Sequence, residues 1–354
     1  MSVPSAARPP LRIGVWAQPL AQDGVEFVRE AERLGVDSVW VPEFWGGDAL
    51  TPLAFLAAQT STVRLCSGIV QLGARTPAML AMSAQSLQAL SGGRFVLGVG
   101  ASGPQVMEGW HGVRFDQPVR RTRETIEIVR TVTSGARLEH HGRVYELPLP
   151  GGEGRAIRSA LPPVHVPIHL AALGPANLRL TGEAADGWIG NSFFPETADV
   201  FLDPIRAGAA AAGRTLADVE LSVSVGVELT DDVEAAGRRH ADGYAFTFGA
   251  MGSATTNFYN EAFARQGWGD DVRDVQRLWL AGDREGAQRR VPIEIGLGTN
   301  LIGTEAMVAE RLRRYHAAGI DVLRVGLAGD LGARLTDLGR LLDLVAVVNS
   351  AAVS

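Results

Sequence analysis

Short runs of apolar residues alternate along the chain with longer segments of helical periodicity. The apolar runs are nearly continuous, which is typical of parallel strands that are buried on both faces. We predict eight strands, at residues 12–16, 38–41, 64–69, 95–99, 168–171, 187–189, 220–225 and 322–325. Helical patterns separate them, for example at 24–34, 77–90, 120–134, 175–185 and 305–318. This alternation over 354 residues favours an α/β fold, a (β/α)8 TIM barrel.

A weak internal repeat supports the barrel. Residues 34–41 (LGVDSVWV) match residues 318–325 (AGIDVLRV), and residues 184–189 (AADGWI) form a looser third copy. Each copy has the pattern of a helix end on a small residue, then Asp, then a strand. A junction that is reused in this way is expected from a barrel of repeated βα units.

Two long stretches interrupt the alternation. Residues 138–166 contain the pair His140 and His141 and a Pro/Gly-rich run, and we predict a surface excursion between the fourth and fifth units. Residues 246–300 separate the seventh strand from the last helix and strand, and we predict a lid-like insertion there. Nothing in their composition indicates a domain boundary, so we predict one domain over 1–354.

Composition excludes several kinds of chemistry. All 33 basic residues are Arg, so a Lys Schiff base and a P-loop lysine are impossible. The net charge of −6 without an Arg-rich run argues against a nucleic-acid partner. No apolar run is long enough to span a membrane, and the N-terminus lacks a signal-peptide pattern. We therefore expect a cytoplasmic protein that acts on a small molecule and has no membrane partner.

Candidate functional groups follow the predicted strands, where barrel active sites lie. Glu43 and Trp45 come after the second strand and could form a general acid or base beside an aromatic wall. The alternative is an ordinary loop in which Asp48 caps the next helix. The helix that starts after Gly174 offers free N–H groups to an anion. Arg75 either binds an anion or is only a solvated charge at the rim.

Two other patterns carry less weight. Gly98-Val-Gly-Ala-Ser-Gly103 fits the dinucleotide-binding pattern after a strand, but Pro104 follows it and no acidic residue ends a second strand at the expected distance. The His residues lack metal-ligand spacing, so we predict no metal site.

Taken together, these loops resemble the luciferase-like monooxygenase superfamily. The closer resemblance is to the branch that uses coenzyme F-420, the 8-hydroxy-5-deazaflavin, and that includes methylenetetrahydromethanopterin reductases. The most specific string is SGPQVMEGWH at 102–111, and the likeness extends from about residue 11 to 348. The other matching segments are 43–49, 67–72, 90–101, 171–175, 185–188, 251–253 and 257–259.

The resemblance implies a (β/α)8 barrel with an insertion near the seventh unit and a cofactor ring at the C-terminal mouth. It also implies a bulge with a non-prolyl cis peptide behind the ring, which maps onto Gly68 and Ile69. The remaining cofactor contacts that it implies are Ala101, Ser102 and Gln105, and, on the phosphate side, Ala171, Ala172 and Gly174.

The resemblance further implies hydride transfer between F-420 and a small organic substrate. Glu43 is then the expected proton donor or acceptor, and Trp45 the expected wall of the pocket. Because the coenzyme tail is acidic and the chain has no Lys, we expect a rim arginine to meet the tail, and Arg75 is the first candidate.

Some features depart from relatives. Sugar-phosphate dehydrogenases of this superfamily have His where Phe44 stands and use Lys for the phosphate, so we do not expect that activity. Residues 254–256 (ATT) stand where close relatives often carry a basic residue. Two alternatives stay open, an FMN-dependent monooxygenase and a non-catalytic deazaflavin-binding barrel. Related proteins are often dimers, so a homodimer is expected.

Overall fold

The computed structural model describes residues 9–251 and 257–351. Within these ranges the strands are β1 Arg12–Trp16, β2 Ser38–Val41, β3 Arg64–Ser67, β4 Val70–Gln71, β5 Phe95–Gly100, β6 His140–His141, β7 Glu146–Leu147, β8 Ile168–Ala171, β9 Gly187–Gly190, β10 Glu220–Leu229, β11 Leu301–Gly303 and β12 Val322–Leu327. The helices are α1 Gly24–Leu34, α2 Leu50–Ala57, α3 Pro77–Ser91, α4 Pro104–Gly109, α5 Pro118–Thr133, α6 Pro175–Ala184, α7 Asp199–Ala211, α8 Val233–Ala250, α9 Phe258–Phe263, α10 Gly269–Leu280, α11 Arg284–Arg290, α12 Ile293–Gly298, α13 Glu305–Ala317 and α14 Leu331–Ala351.

Eight parallel strands close into a barrel in the order β1, β2, β3, β5, β8, β9, β10 and β12, and β12 pairs back with β1. Two short strands extend this sheet, β4 beside β5 and β11 beside β10. The predicted (β/α)8 barrel is confirmed, and its eight strands are the predicted ones. The glycine-rich loop after β5 therefore belongs to a barrel unit and not to a dinucleotide-binding fold.

The helix-to-strand junctions explain the internal repeat. Gly35 and Gly319 end α1 and α13 in the left-handed region, both with φ of 93°. The Asp of each junction then bonds to a neighbouring strand, as when Asp321 accepts the N–H of Leu221 at 2.7 Å. The third copy differs, because Ala185 ends α6 in an extended conformation. Because Gly has no Cβ, it can end a helix in the left-handed conformation, which Ala disfavours.

Charged side chains close the N-terminal end of the barrel. Arg12 contacts Asp37 at 2.9 Å and Glu220 at 2.7 Å, and Arg64 contacts Asp37 at 2.5 Å. His169 lies fully buried beside Glu220, where burial lowers its pKa to about 4. These pairs join strands that are far apart in sequence and leave the opposite, C-terminal end open for a site.

The two predicted interruptions lie outside the barrel wall. Residues 138–166 include the antiparallel hairpin of β6 and β7. Helices α8 to α12 lie between β10 and β11, so the excursion begins at Val233, ahead of the predicted boundary at residue 246. Residues 252–256, which include the predicted departure at 254–256, lie outside the described residues. None of the described helices is both long and apolar enough to cross a membrane.

Candidate active site at the C-terminal mouth

An apolar surface forms the floor of the barrel mouth. Trp16, Ile69 and Ala171, called here the mouth platform, are partly buried side chains from the C-terminal ends of three barrel units. They pack on a fully enclosed layer inside the barrel, formed by Trp40, Cys66, Val96 and Ile189. An apolar surface above a closed core suits the face of a planar ring.

Close backbone packing places the platform. The peptide bond between Gly68 and Ile69 is cis, as the resemblance implied. A Cβ on Gly68 would lie 2.8 Å from the ring of Trp16, and a Cβ on Gly100 would lie 3.0 Å from Ile69. Side chains at these two glycines would therefore displace the platform residues.

Glu43 and Arg75, two predicted site residues, contact each other. The Glu43 carboxylate is buried, and each of its oxygens accepts one guanidinium hydrogen bond from Arg75 at 2.8 Å. The backbone N–H groups of Gln71 and Ala49 donate to the same carboxylate at 3.0 and 3.2 Å. Four hydrogen bonds, two of them from the charged guanidinium, hold the carboxylate in place.

This contact changes the interpretation of both residues. A carboxylate that accepts four hydrogen bonds is well arranged to hold the loop after β2 against β4. Arg75 is the predicted partner of the cofactor tail, and its guanidinium already has a partner in Glu43, with Asp48 3.7 Å away. The catalytic role of Glu43 and the tail contact of Arg75 both stay predictions.

Gln71 and His111 extend this network, and the sequence analysis missed both. The side-chain amide of Gln71 donates to the backbone carbonyls of Glu43 and Phe44 at 3.2 Å. Its oxygen lies 2.7 Å from Nε2 of His111. His111 ends the most specific string in the sequence, and that position was the available signal for a role at the mouth.

The loop after β2 also carries exposed aromatic rings. Trp45 is 53% exposed and Phe44 is 57% exposed, and the two rings meet edge to face with centroids 6.0 Å apart. Trp45 therefore lies at the rim, where it is free to contact a bound molecule. Asp48 lies one residue before Ala49, which flanks α2, and accepts the N–H of Thr51 in the first turn at 2.8 Å, the type of contact that a capping residue makes.

The loop after β5 holds three of the predicted cofactor contacts. Ala101 and Ser102 follow β5 directly, and Gln105 lies exposed in the first turn of α4. Ser102 has φ of 60°, a left-handed conformation that is uncommon for a residue with a Cβ. Such conformations cluster at ligand sites, which is consistent with the predicted role.

The loop after β8 leads into the N-terminus of a ten-residue helix. Ala171 and Ala172 end the strand side of this loop, and Gly174 precedes Pro175, the first residue of α6. Added bulk at Gly174 would meet nothing within 4 Å, so its backbone is accessible. Arg265 donates to the carbonyl of Leu173 at 2.5 Å, which brings a guanidinium to the same loop. Amide N–H groups beside an arginine form a favourable place for an anion.

The fold and the site together define a parallel (β/α)8 barrel with an apolar platform and an anion-compatible helix N-terminus at one mouth. The chain belongs to the luciferase-like monooxygenase family, whose pattern it matches over residues 9–322. It is 37% identical over 324 residues to a putative coenzyme F-420-dependent oxidoreductase of Mycobacterium tuberculosis, with 89% of this chain and 93% of that protein covered.

Two more distant proteins are also similar. A 5,10-methylenetetrahydromethanopterin reductase of Archaeoglobus fulgidus is 27% identical over 306 residues, covering 85% of this chain and 88% of that protein. The solved structure of the coenzyme F-420-dependent tetrahydromethanopterin reductase of Methanopyrus kandleri superposes with a TM-score of 0.76 at 20% identity. That superposition covers 93% of this chain and 97% of the other, and it shows that the two share a fold.

Proposed function

We propose that the protein is an oxidoreductase that uses coenzyme F-420 and exchanges a hydride with a small organic substrate. The observation that carries the proposal is the mouth platform of Trp16, Ile69 and Ala171 beside the accessible N-terminus of α6. The first feature suits a planar ring, and the second suits a phosphate. The name of the 37% identical relative supports F-420 as the ring that lies there.

The residues present fit this cofactor. Gly68 and Ile69 would support the ring, while Ala101, Ser102 and Gln105 would line one side of it. Ala171, Ala172 and Gly174 would lead the phosphate to the first amides of α6. When bound, the deazaflavin supplies a carbon centre that accepts or donates a hydride. The chain contributes the binding surface, the orientation of the ring and the exclusion of water.

The acidic tail needs positive charge at the rim. Arg75 is paired with Glu43, whereas the guanidinium of Arg265 donates to the carbonyl of Leu173 and forms no salt bridge with the described residues, Glu261 acting on it only from a longer distance. We therefore propose Arg265 as the stronger candidate for the tail and keep Arg75 as the second. Comparing Arg265→Met with Arg75→Met at low salt separates them, because the true tail ligand loses more affinity for F-420.

Glu43 and Trp45 are proposed to act on the substrate side. Glu43 would hold the mouth loops and take part in proton transfer, and Trp45 would cover the substrate. We expect Glu43→Gln to keep affinity for the cofactor and to lose turnover, since the amide preserves the shape but not the charge. Unchanged turnover would remove Glu43 from the chemistry and leave it a purely structural role.

Cofactor titration tests the proposal directly. Quenching of the fluorescence of the seven Trp should saturate with F-420 and respond weakly to FMN. Tight binding of FMN without binding of F-420 would instead favour the monooxygenase alternative. Binding of F-420 without hydride transfer to a broad panel of imines, enones and alcohols would favour a non-catalytic binding protein.

We also propose that the protein forms a homodimer. Phe55 on α2 and Met79 and Met82 on α3 are each more than half exposed, and the two helices pack together. Apolar side chains grouped in this way are typical of an interface. Analytical ultracentrifugation should show a dimer that Met82→Glu weakens, and a wild-type monomer would refute the proposal.

A further inference from the structure

Arg324 crosses the interior of the barrel. It lies on β12 with only 2% of its surface exposed, in register with Gly14 on β1 and Ser224 on β10. Its guanidinium donates to the carbonyl of Gly190, the last residue of β9. The charged end of the side chain is thereby held at the level where the strands open into the mouth.

Two tryptophan rings flank this guanidinium. Its central carbon lies 5.0 Å from the ring centroid of Trp16 and 5.1 Å from that of Trp40. Contacts of this kind attract the cation to the negative face of the ring. Trp16 belongs to the mouth platform, and its Nε1 donates to Ser224 at 2.9 Å. One aromatic ring therefore separates the buried charge from the platform surface.

Arg324 has no acidic partner among the residues that the structure describes, and its Nε makes no hydrogen bond. The titratable groups that face it are Cys66 on β3 and His169 on β8, with Arg64 and Glu220 beyond them at the closed end. Burial lowers the pKa of Arg324 to about 9, which leaves the guanidinium charged at neutral pH. Because a buried charge without an acidic partner is unfavourable, a negative charge at the mouth would be favoured.

We propose that Arg324 is a positioning residue that places a positive charge beneath the cofactor ring and favours the anionic, reduced form of that ring. The proposal rests on the proposed function. Hydride transfer moves one proton and two electrons from a substrate carbon to the ring. Such a transfer would place negative charge on the ring and leave the substrate one charge more positive until it releases a proton.

The size of the effect follows from distance. Two unit charges about 10 Å apart, at an effective dielectric constant of about 20, change an equilibrium constant on the order of tenfold. The charge is fixed before the reaction, so it stabilises the charged state without reorganisation. The anionic form of reduced F-420 should bind more tightly than its protonated form by this factor, so the reduced coenzyme should lose its proton at lower pH when bound.

The first test uses the wild-type protein. Reduced F-420 is titrated with base, free and bound, and its absorbance is followed under anaerobic conditions. We expect the midpoint of the bound coenzyme to lie about one pH unit below that of the free coenzyme, which is the tenfold effect expressed as acidity. An unshifted or raised midpoint overturns the role of Arg324 but leaves the proposed function standing. Absence of any F-420 binding overturns both.

The second test compares Arg324→Met with Arg324→Lys. Met has similar length without charge, and Lys keeps the charge, so the two variants separate packing from electrostatics. We expect the lowered midpoint of bound, reduced F-420 to be lost in Arg324→Met and kept in Arg324→Lys. A midpoint in Arg324→Met that is as low as in the wild-type protein would overturn the proposal. If neither variant folds, the wild-type titration still decides.

Discussion

The ion pair between Glu43 and Arg75 provides the sharpest stability test of this site. Both hydrogen bonds measure 2.8 Å, the Glu43 side chain is 6% exposed, and the Arg75 side chain is 21% exposed. Breaking a fully buried pair costs about 3–5 kcal/mol because one charge is left without a partner. Water can reach the Arg75 end, so we expect Glu43→Gln to lower the free energy of unfolding by about 2–3 kcal/mol.

A double-mutant cycle isolates the pair itself. Glu43→Gln, Arg75→Met and the double variant are each unfolded in urea at pH 7 and the free energies compared. The free energy of unfolding of the double variant should fall by about 1.5–3 kcal/mol less than the sum of the two single decreases. The reason is that the second substitution removes a charge that the first left unpaired. Low and moderate salt should give similar coupling, since buried pairs are weakly screened.

Asp48→Asn is the matched control for this cycle. Asp48 lies 3.7 Å from Arg75 but is 40% exposed, and Asn keeps the capping contact to Thr51. Asp48→Asn should lower the free energy of unfolding by less than about 0.5 kcal/mol, as is usual for exposed ion pairs. Additive losses in the cycle, within about 0.5 kcal/mol, would show that Glu43 and Arg75 act independently and would refute the reasoning.

Three further predictions concern the barrel. Burial lowers the pKa of His169 from 6.5 to about 4, so the unfolded chain takes up a proton at higher pH than the folded protein does. The free energy of unfolding should therefore fall by about 3 kcal/mol as the pH drops from 6.5 to 4. Urea unfolding of His169→Gln should lack this dependence on pH. A Cβ on Gly98 would lie 1.9 Å from the carbonyl oxygen of Ser67, so Gly98→Ala should lower the Tm by many degrees. A Cβ on Gly46 would have nothing within 4 Å, so Gly46→Ala should leave the Tm nearly unchanged. Arg94 donates to four backbone carbonyls and a hydroxyl. Lys cannot replace all of these bonds, so Arg94→Lys should lower the free energy of unfolding by about 2–4 kcal/mol, and a loss below about 1 kcal/mol would contradict this reasoning.

Local sequence patterns determined the barrel strands. Buried parallel strands are apolar on both faces, so each appeared as a short continuous run, and all eight lie where the pattern placed them. The exits at Gly35 and Gly319 were equally readable, because a left-handed helix end favours Gly whatever surrounds it. Beyond these local patterns, the resemblance carried by residues 102–111 located the mouth loops and the cis peptide at Gly68.

Only the tertiary structure decided which side chains meet. Glu43 and Arg75 are 32 residues apart and Gln71 and His111 are 40 apart, and no local period relates them. Trp16 contacts a serine 208 residues away, which is possible only because the last strands of the barrel pair back with the first. Closure of the barrel sets the register between neighbouring strands, and this register determines which residues each inward side chain contacts. Sequence alone could therefore nominate residues at the mouth, whereas the ring of strands determined their contacts.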